Sequence, residues 1–216
     1  MISAHECAAL CAELYDHPVP EAWDRLWSGG EVICAVRRLA GTCVLIFRGS
    51  VTTLDWMRDL QALPKWDPEV GFCHGGFLEQ IDTALAEAIP ALTAGSPPLP
   101  VTVTGHSLGA ARARIAAAKL AARGLNVEQL CTFGSPRPGF ANVRRVIEKS
   151  GMAHRSFRNG HDPVCLVPFP ILPVLPFEHT EDWTAFWEHA DGDDLRPERD
   201  HAIGLYVAGT AKLSPP

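Results

Sequence analysis

The stretch Val101-Thr102-Val103-Thr104-Gly105-His106-Ser107-Leu108-Gly109-Ala110 constrains this chain more than any other. It opens after Pro100 as a run rich in β-branched residues, the composition of a strand. From Ala110 to Arg123 it is almost all Ala, Arg, Lys and Leu, which are strong helix formers. Between strand and helix lies Gly105-x-Ser107-x-Gly109. A serine at that spacing in that context is the pattern of a nucleophile elbow. The elbow holds the serine in a strained turn, so small residues are needed two places before and two after it. The turn lifts the hydroxyl over the sheet edge. It also aims the first free amides of the helix at the place where an oxyanion would form. Ser107 is therefore the candidate nucleophile. The plainer reading is a Gly-Ser turn ahead of an ordinary helix.

Around this stretch, β-rich and helix-rich runs alternate from about residue 42 to 158. Thr42–Phe47, Val127–Phe133 and Ala153–Phe157 read as strands. Phe77–Leu92 and Phe140–Lys149 read as helices, the first with Ile81, Leu85 and Ile89 on one face. The alternation predicts an α/β fold, a mostly parallel central sheet with helices on both faces. Ahead of it, Ser3–Tyr15 reads as a packing helix capped by Ser3 and Glu6. Val32–Arg38 and Thr42–Phe47 form a hairpin around Leu39-Ala40-Gly41. At 216 residues the chain is expected to be one domain spanning 1–216.

In open α/β sheets, ligands sit at the carboxyl ends of strands, where the elbow also lies. An activated serine there needs a base, and the base needs an orienting carboxylate. In elbow-type hydrolases the chain order is serine, acid, histidine. The best acid after Ser107 is Asp162, in the strand-end turn Asn159-Gly160-His161-Asp162-Pro163. A turn-forming Asp-Pro is its plainer reading. The later histidines are His179, His189 and His201. His189 lies in an acidic, loop-like stretch. His201 opens the last helical segment, His201–Ala211, and is favoured over His179 on its placement. His106 neighbours the serine but points another way at an elbow, so it packs or hydrogen-bonds beneath. Ser50 ends a strand as Arg48-Gly49-Ser50 and is the candidate second oxyanion donor. The amphipathic Val51–Leu63 follows it, read as a small flap over the site or as a fixed surface helix.

Several classes are excluded by what is absent. Net charge is −6, against a nucleic-acid surface and against attraction to anionic membranes. No run of 18 apolar residues exists to insert in a bilayer. No Cys-x-x-Cys or His-Glu-x-x-His motif occurs, and Asp191-x-Asp193-Asp194 lacks the spacing of a calcium loop. No metal or cofactor is expected. The seven cysteines are an odd number, several inside apolar runs, and Met1–Tyr15 lacks the features of a secretory leader. Those two features predict a reduced, cytoplasmic chain.

Taken together the motifs resemble the class 3, fungal-type lipases of the α/β-hydrolase superfamily. The matching pieces are Phe47-Arg48-Gly49-Ser50, Asp55-Trp56 to Asp59-Leu60, His74-Gly75-Gly76-Phe77, Thr104–Ala110, Thr132–Arg137, Asn159–Val164, and Asp200-His201 with Tyr206. They run in the family's order over about residues 30–209. The resemblance implies Ser107 as nucleophile, Asp162 as acid and His201 as base, with the N–H groups of Ser50 and Leu108 as the oxyanion hole. It sets His179, with Thr180, Glu181 and Trp183, apart from the base. It implies a serine carboxylic-ester hydrolase acting through an acyl-enzyme on small-molecule ester or lipid substrates. An acyltransferase on the same scaffold and a catalytically idle binding module are the alternatives. Apolar Val164–Phe177, starting two residues after Asp162, suggests a groove for a greasy acyl chain.

Overall fold

The computed structural model of the protein describes residues 1–30, 32–50, 63–169, 174, 176–180, 183–186, 188 and 197–213. Its centre is a seven-stranded sheet. In chain order the strands are β1 (Arg25–Gly29), β2 (Val32–Leu39), β3 (Thr42–Phe47), β6 (Val101–His106), β7 (Val127–Phe133), β8 (Ala153–Asn159) and β9 (Trp183–Phe186), and they lie in that order. β1, β2 and β3 pair antiparallel; from β3 to β9 every pairing is parallel. A separate two-stranded ribbon joins β4 (Pro64–Asp67) to β5 (Gly71–His74).

Both faces of the sheet are buried, and the period-2 alternation sorts side chains between them. Cys34, Val36, Cys43, Leu45, Phe47, Val101, Val103 and Leu130 face one cluster. It is covered by α2 (Gly75–Leu78), α3 (Ile81–Leu92), α4 (Leu108–Ala122) and α5 (Ala141–Ser150). Ala35, Val44, Ile46, Cys131, Phe133 and Phe157 face the other, covered by α1 (Ala4–Asp16) and α6 (Ile203–Ala211). α4 is buried along almost its whole length. Its alanines let the backbone lie close against β6 and β7, which fixes the elbow at its first turn. α1 starts at a full capping box: Glu6 N–H donates to Ser3 Oγ at 3.1 Å, and Ser3 N–H to Glu6 Oε2 at 2.8 Å. All seven cysteines are buried free thiols. Among the described residues no helix is long and apolar enough to cross a membrane.

Cys73 and His74 complete β5, and Gly75 opens the short α2. Two expectations need correction. The helix expected over Phe77–Leu92 is two pieces, broken where Gln80 takes a left-handed φ of 59°. His201 does not open the last helix but closes a 3₁₀ turn, Pro197–His201, before α6. β1, the ribbon and β9 were not foreseen. The Val51–Leu63 segment lies outside the described residues except for Leu63, and His189 lies outside them entirely.

Candidate active site

Ser107 sits between β6 and α4 with φ 61° and ψ −133°, a left-handed backbone that a serine adopts only when its surroundings force it. The flanking glycines show what forces it. A Cβ on Gly105 would lie 2.6 Å from the Gly109 carbonyl carbon, and one on Gly109 would lie 2.7 Å from the Arg48 carbonyl carbon. A Cβ on Gly49 would lie 2.9 Å from Ser107 Cβ. The end of β3 and the elbow therefore pass at backbone contact, with Gly49, the residue before Ser50, against Ser107. Leu108 begins α4, so its N–H is among the helical amides left without an intrahelical acceptor.

Asp162 follows β8 and caps the 3₁₀ turn Pro163–Leu166, accepting from Val164 N–H at 2.9 Å on Oδ1. Its Oδ2 accepts from His201 Nδ1 at 2.7 Å and from the Tyr206 hydroxyl at 2.6 Å. Burial opposes ionisation of this carboxyl. The His201 charge and the bonds from His201, Tyr206 and Val164 outweigh it and hold Asp162 below the usual carboxylate range. With Nδ1–H committed to Asp162, the neutral imidazole of His201 carries its lone pair on Nε2.

Ser107 Oγ and His201 Nε2 are both buried, and neither has a hydrogen-bond partner among the described residues. Buried polar atoms are almost always paired, so an unpaired serine oxygen at an elbow and an unpaired imidazole nitrogen on a carboxylate-held histidine are the atoms to consider for chemistry. Gly134 makes room for the Asp–His pair. It takes φ +55°, and a Cβ there would lie 2.7 Å from Asp162 Oδ2 and 3.0 Å from His201 Nδ1.

His179 and His106 are committed elsewhere. His179 Nε2 donates to the Cys165 carbonyl at 2.8 Å, and Arg114 donates to its Nδ1 at 3.1 Å. Burial and the Arg114 charge push it down to about 3. His106 hydrogen-bonds beneath the site, through Nδ1 to the Tyr15 hydroxyl at 3.1 Å and through Nε2 to the His201 carbonyl at 2.8 Å. Its ring stacks on that of His201, centroids 4.6 Å apart. Sequence reasoning missed Tyr15, and it listed Tyr206 among matching residues without a role. It also missed Asn159, whose side-chain amide donates to the Asp200 carbonyl at 3.0 Å and steadies the His201 turn. The one available signal was Tyr206 itself, which falls five residues after His201, little more than a helical turn.

The profile of the family described as Lipase (class 3) matches residues 44–171. This chain belongs to the class 3 lipase family. Secreted mono- and diacylglycerol lipase 1 of Fusarium solani is 33% identical over 168 residues, covering 74% of this chain and 46% of that protein. Phospholipase A1 EG1, chloroplastic/mitochondrial, of Oryza sativa subsp. indica is 32% identical over 162 residues, covering 61% of this chain and 37% of the relative. Among solved structures, Rhizomucor miehei triacylglyceride lipase superposes with a TM-score of 0.72 at 25% identity, covering 85% of this chain and 78% of the other. The chain thus spans less than half the length of these two curated relatives.

These class 3 relatives overturn the expectation of a cytoplasmic chain, since they are secreted or organellar proteins. The expectation rested on thiols and on the first fifteen residues. The thiols prove to be small hydrophobes of the core, a packing role that is indifferent to the redox state of the compartment.

Proposed function

We propose that the protein is a serine carboxylic-ester hydrolase of the lipase/esterase kind, with its whole site built from one unit over residues 1–216. Ser107 Oγ attacks the ester carbonyl carbon while its proton passes to His201 Nε2. Asp162 holds the imidazole by Nδ1 and stabilises its charged form. The N–H groups of Ser50 and Leu108 donate to the oxyanion of the tetrahedral intermediate. The imidazolium then protonates the leaving alkoxide, and the acyl group stays on Ser107. Water repeats the sequence: His201 takes its proton, the hydroxide oxygen bonds to the acyl carbon, and the acid departs as Ser107 regains its hydrogen.

The observation that carries this reading is the Asp162–His201 hydrogen bond, which leaves His201 Nε2 buried and without a partner among the described residues, as is Ser107 Oγ at the elbow. The substrate class follows from the relatives, whose names describe acylglycerol and phospholipid ester cleavage. Exposed Leu63, Phe169 and Val174, on the segments that follow Ser50 and Asp162, support an apolar acyl chain. The test is covalent labelling with a fluorophosphonate. One label per chain on Ser107, lost in Ser107→Ala together with ester hydrolysis, is expected; unimpaired turnover by the purified variant contradicts the mechanism. A series of p-nitrophenyl esters then reads the groove. kcat/KM should rise by about fourfold per added methylene, from ~0.8 kcal/mol of burial each, until the groove is filled.

A further inference from the structure

Below the elbow, a chain of hydrogen bonds runs from Tyr15, which packs against Gly49 ahead of Ser50, to the backbone of His201. Its polarity can be worked out bond by bond. His106 is fully buried, and burial pushes it down to about 3, so its ring is neutral at working pH. Its Nε2 faces the His201 carbonyl, which can only accept, so the ring proton is on Nε2. Nδ1 is then an acceptor, and the Tyr15 hydroxyl donates to it. The same Tyr15 oxygen lies packed against Gly49. A Cβ on Gly49 would strike the Tyr15 hydroxyl, so this contact also requires the glycine. The hydrogen bonds therefore run from Tyr15 O–H to His106 Nδ1 and from His106 Nε2–H to the His201 carbonyl, with Gly49 packed on the Tyr15 oxygen where they start.

We propose that Tyr15 and His106 are positioning residues that set the oxyanion loop and the histidine base in register with each other. The proposal rests on the serine-hydrolase reading above. Gly49 directly precedes Ser50, so the Tyr15 hydroxyl packed against Gly49 limits where the backbone that carries the Ser50 N–H can lie. At the other end, the His201 carbonyl and ring are both held by His106, one by hydrogen bond and one by stacking. Neither Tyr15 nor His106 touches the Ser107 hydroxyl. Tyr15 comes from α1, ahead of the segment that matches the family profile, so an element outside that segment supplies the link.

The experiment uses the full chain and its Tyr15→Phe, His106→Leu and His106→Gln variants. Exhaustive fluorophosphonate labelling counts intact sites, and kcat and KM per labelled site are measured with p-nitrophenyl butyrate. A trifluoromethyl ketone, which forms an oxyanion on Ser107, probes the hole. Tyr15→Phe is expected to lower kcat roughly tenfold or more with KM within about twofold, the pattern of lost transition-state alignment. The inhibition constant of the ketone should rise by the factor lost in kcat/KM. His106→Leu should match or exceed that loss. His106→Gln, which keeps one donor and one acceptor, should recover most of the activity. The double variant Tyr15→Phe/His106→Leu should be no worse than the poorer single one, because one chain cannot be cut twice. A Tyr15→Phe enzyme with kcat per labelled site unchanged overturns the proposal, even if fewer chains are intact, since the pair would then serve folding alone. Failure of the unaltered protein to label overturns the hydrolase reading and this one with it.

Discussion

Tyr206, Gly134 and His179 are the side chains at which the geometry makes its sharpest claims. Tyr206 gives Asp162 one of three donors, and it is fully buried. A hydrogen bond to a charged group contributes about 1.5–3 kcal/mol, so Tyr206→Phe should lower unfolding free energy by that amount in urea at neutral pH. Gly134→Ala should do the reverse, sparing most of the fold and striking the chemistry. The added carbon must push Asp162 and His201 apart, and misalignment of that order costs roughly 10²-fold in kcat. The histidine assignment has its own control. His201→Ala should lose activity as fully as Ser107→Ala, while His179→Ala, whose ring is tied to Arg114 and Cys165, should keep measurable turnover. Equal loss in a folded His179→Ala protein would reverse the assignment.

At the scale of elements, the ribbon β4–β5 is pinned to the body by a buried cation. Lys119 of α4 is 1% exposed and meets Asp67 of β4 at 2.5 Å, Glu69 at 2.7 Å and Asp82 of α3 at 3.2 Å. Asp67 is the one buried carboxylate of the three, so Asp67→Ala leaves the buried ammonium to two more exposed partners and should destabilise the protein by about 1–3 kcal/mol, measured by urea unfolding. How much of the fold the sequence disclosed divides along the same elements. The elbow strand and helix, the β2–β3 hairpin and the α1 cap were legible, because their residues state a local preference that the tertiary structure agrees with. Pro-Lys-Trp-Asp carries no alternating pattern; it is a strand only because Gly71–His74 lies opposite. The break at Gln80 was hidden for the same reason, since nothing in the helical spacing of Ile81, Leu85 and Ile89 marks where the helix begins. In the candidate site, Asp162 was legible from its strand-end turn, and His201 stood out only by its place near the last helix. The Tyr15–His106–His201 chain was not legible: it joins residues 91 and 95 positions apart, and no spacing rule reaches that far.

For the molecule as a whole, the buried histidines set its response to acid. Burial pushes His74 down to about 4, His106 and His179 to about 3, and His154 to about 2. In the unfolded chain these rings take up protons as pH falls through about 6.5. Between that value and about 4 the unfolded state therefore holds up to four more protons than the folded one. Each makes stability fall by about 1.4 kcal/mol per pH unit on acidification. The depressed Asp162 acts in the same direction at lower pH, because its contribution disappears as the carboxyl is protonated in the folded state. Unfolding free energy should be flat between about pH 7 and 8 and drop steeply from pH 6 downward. A curve that stays level to pH 4.5 would mean that these rings are not buried as described.

The seven buried thiols give the protein a set of internal clocks. None is at the surface, and burial raises Cys34 and Cys73 to about 12, so reactive thiolate is scarce while their surroundings stay closed. A disulfide reagent added to the native protein must wait for each neighbourhood to open, and the order of labelling records the order of opening. Cys7 and Cys11 ride on α1, and Cys131 lies in the cluster α1 covers, whereas Cys34, Cys43 and Cys73 belong to the opposite face. If the terminal helix peels away first, mass spectrometry should find Cys7, Cys11 and Cys131 modified together, ahead of the other three. Simultaneous modification of all seven would instead show that the two faces of the sheet come apart as one cooperative unit.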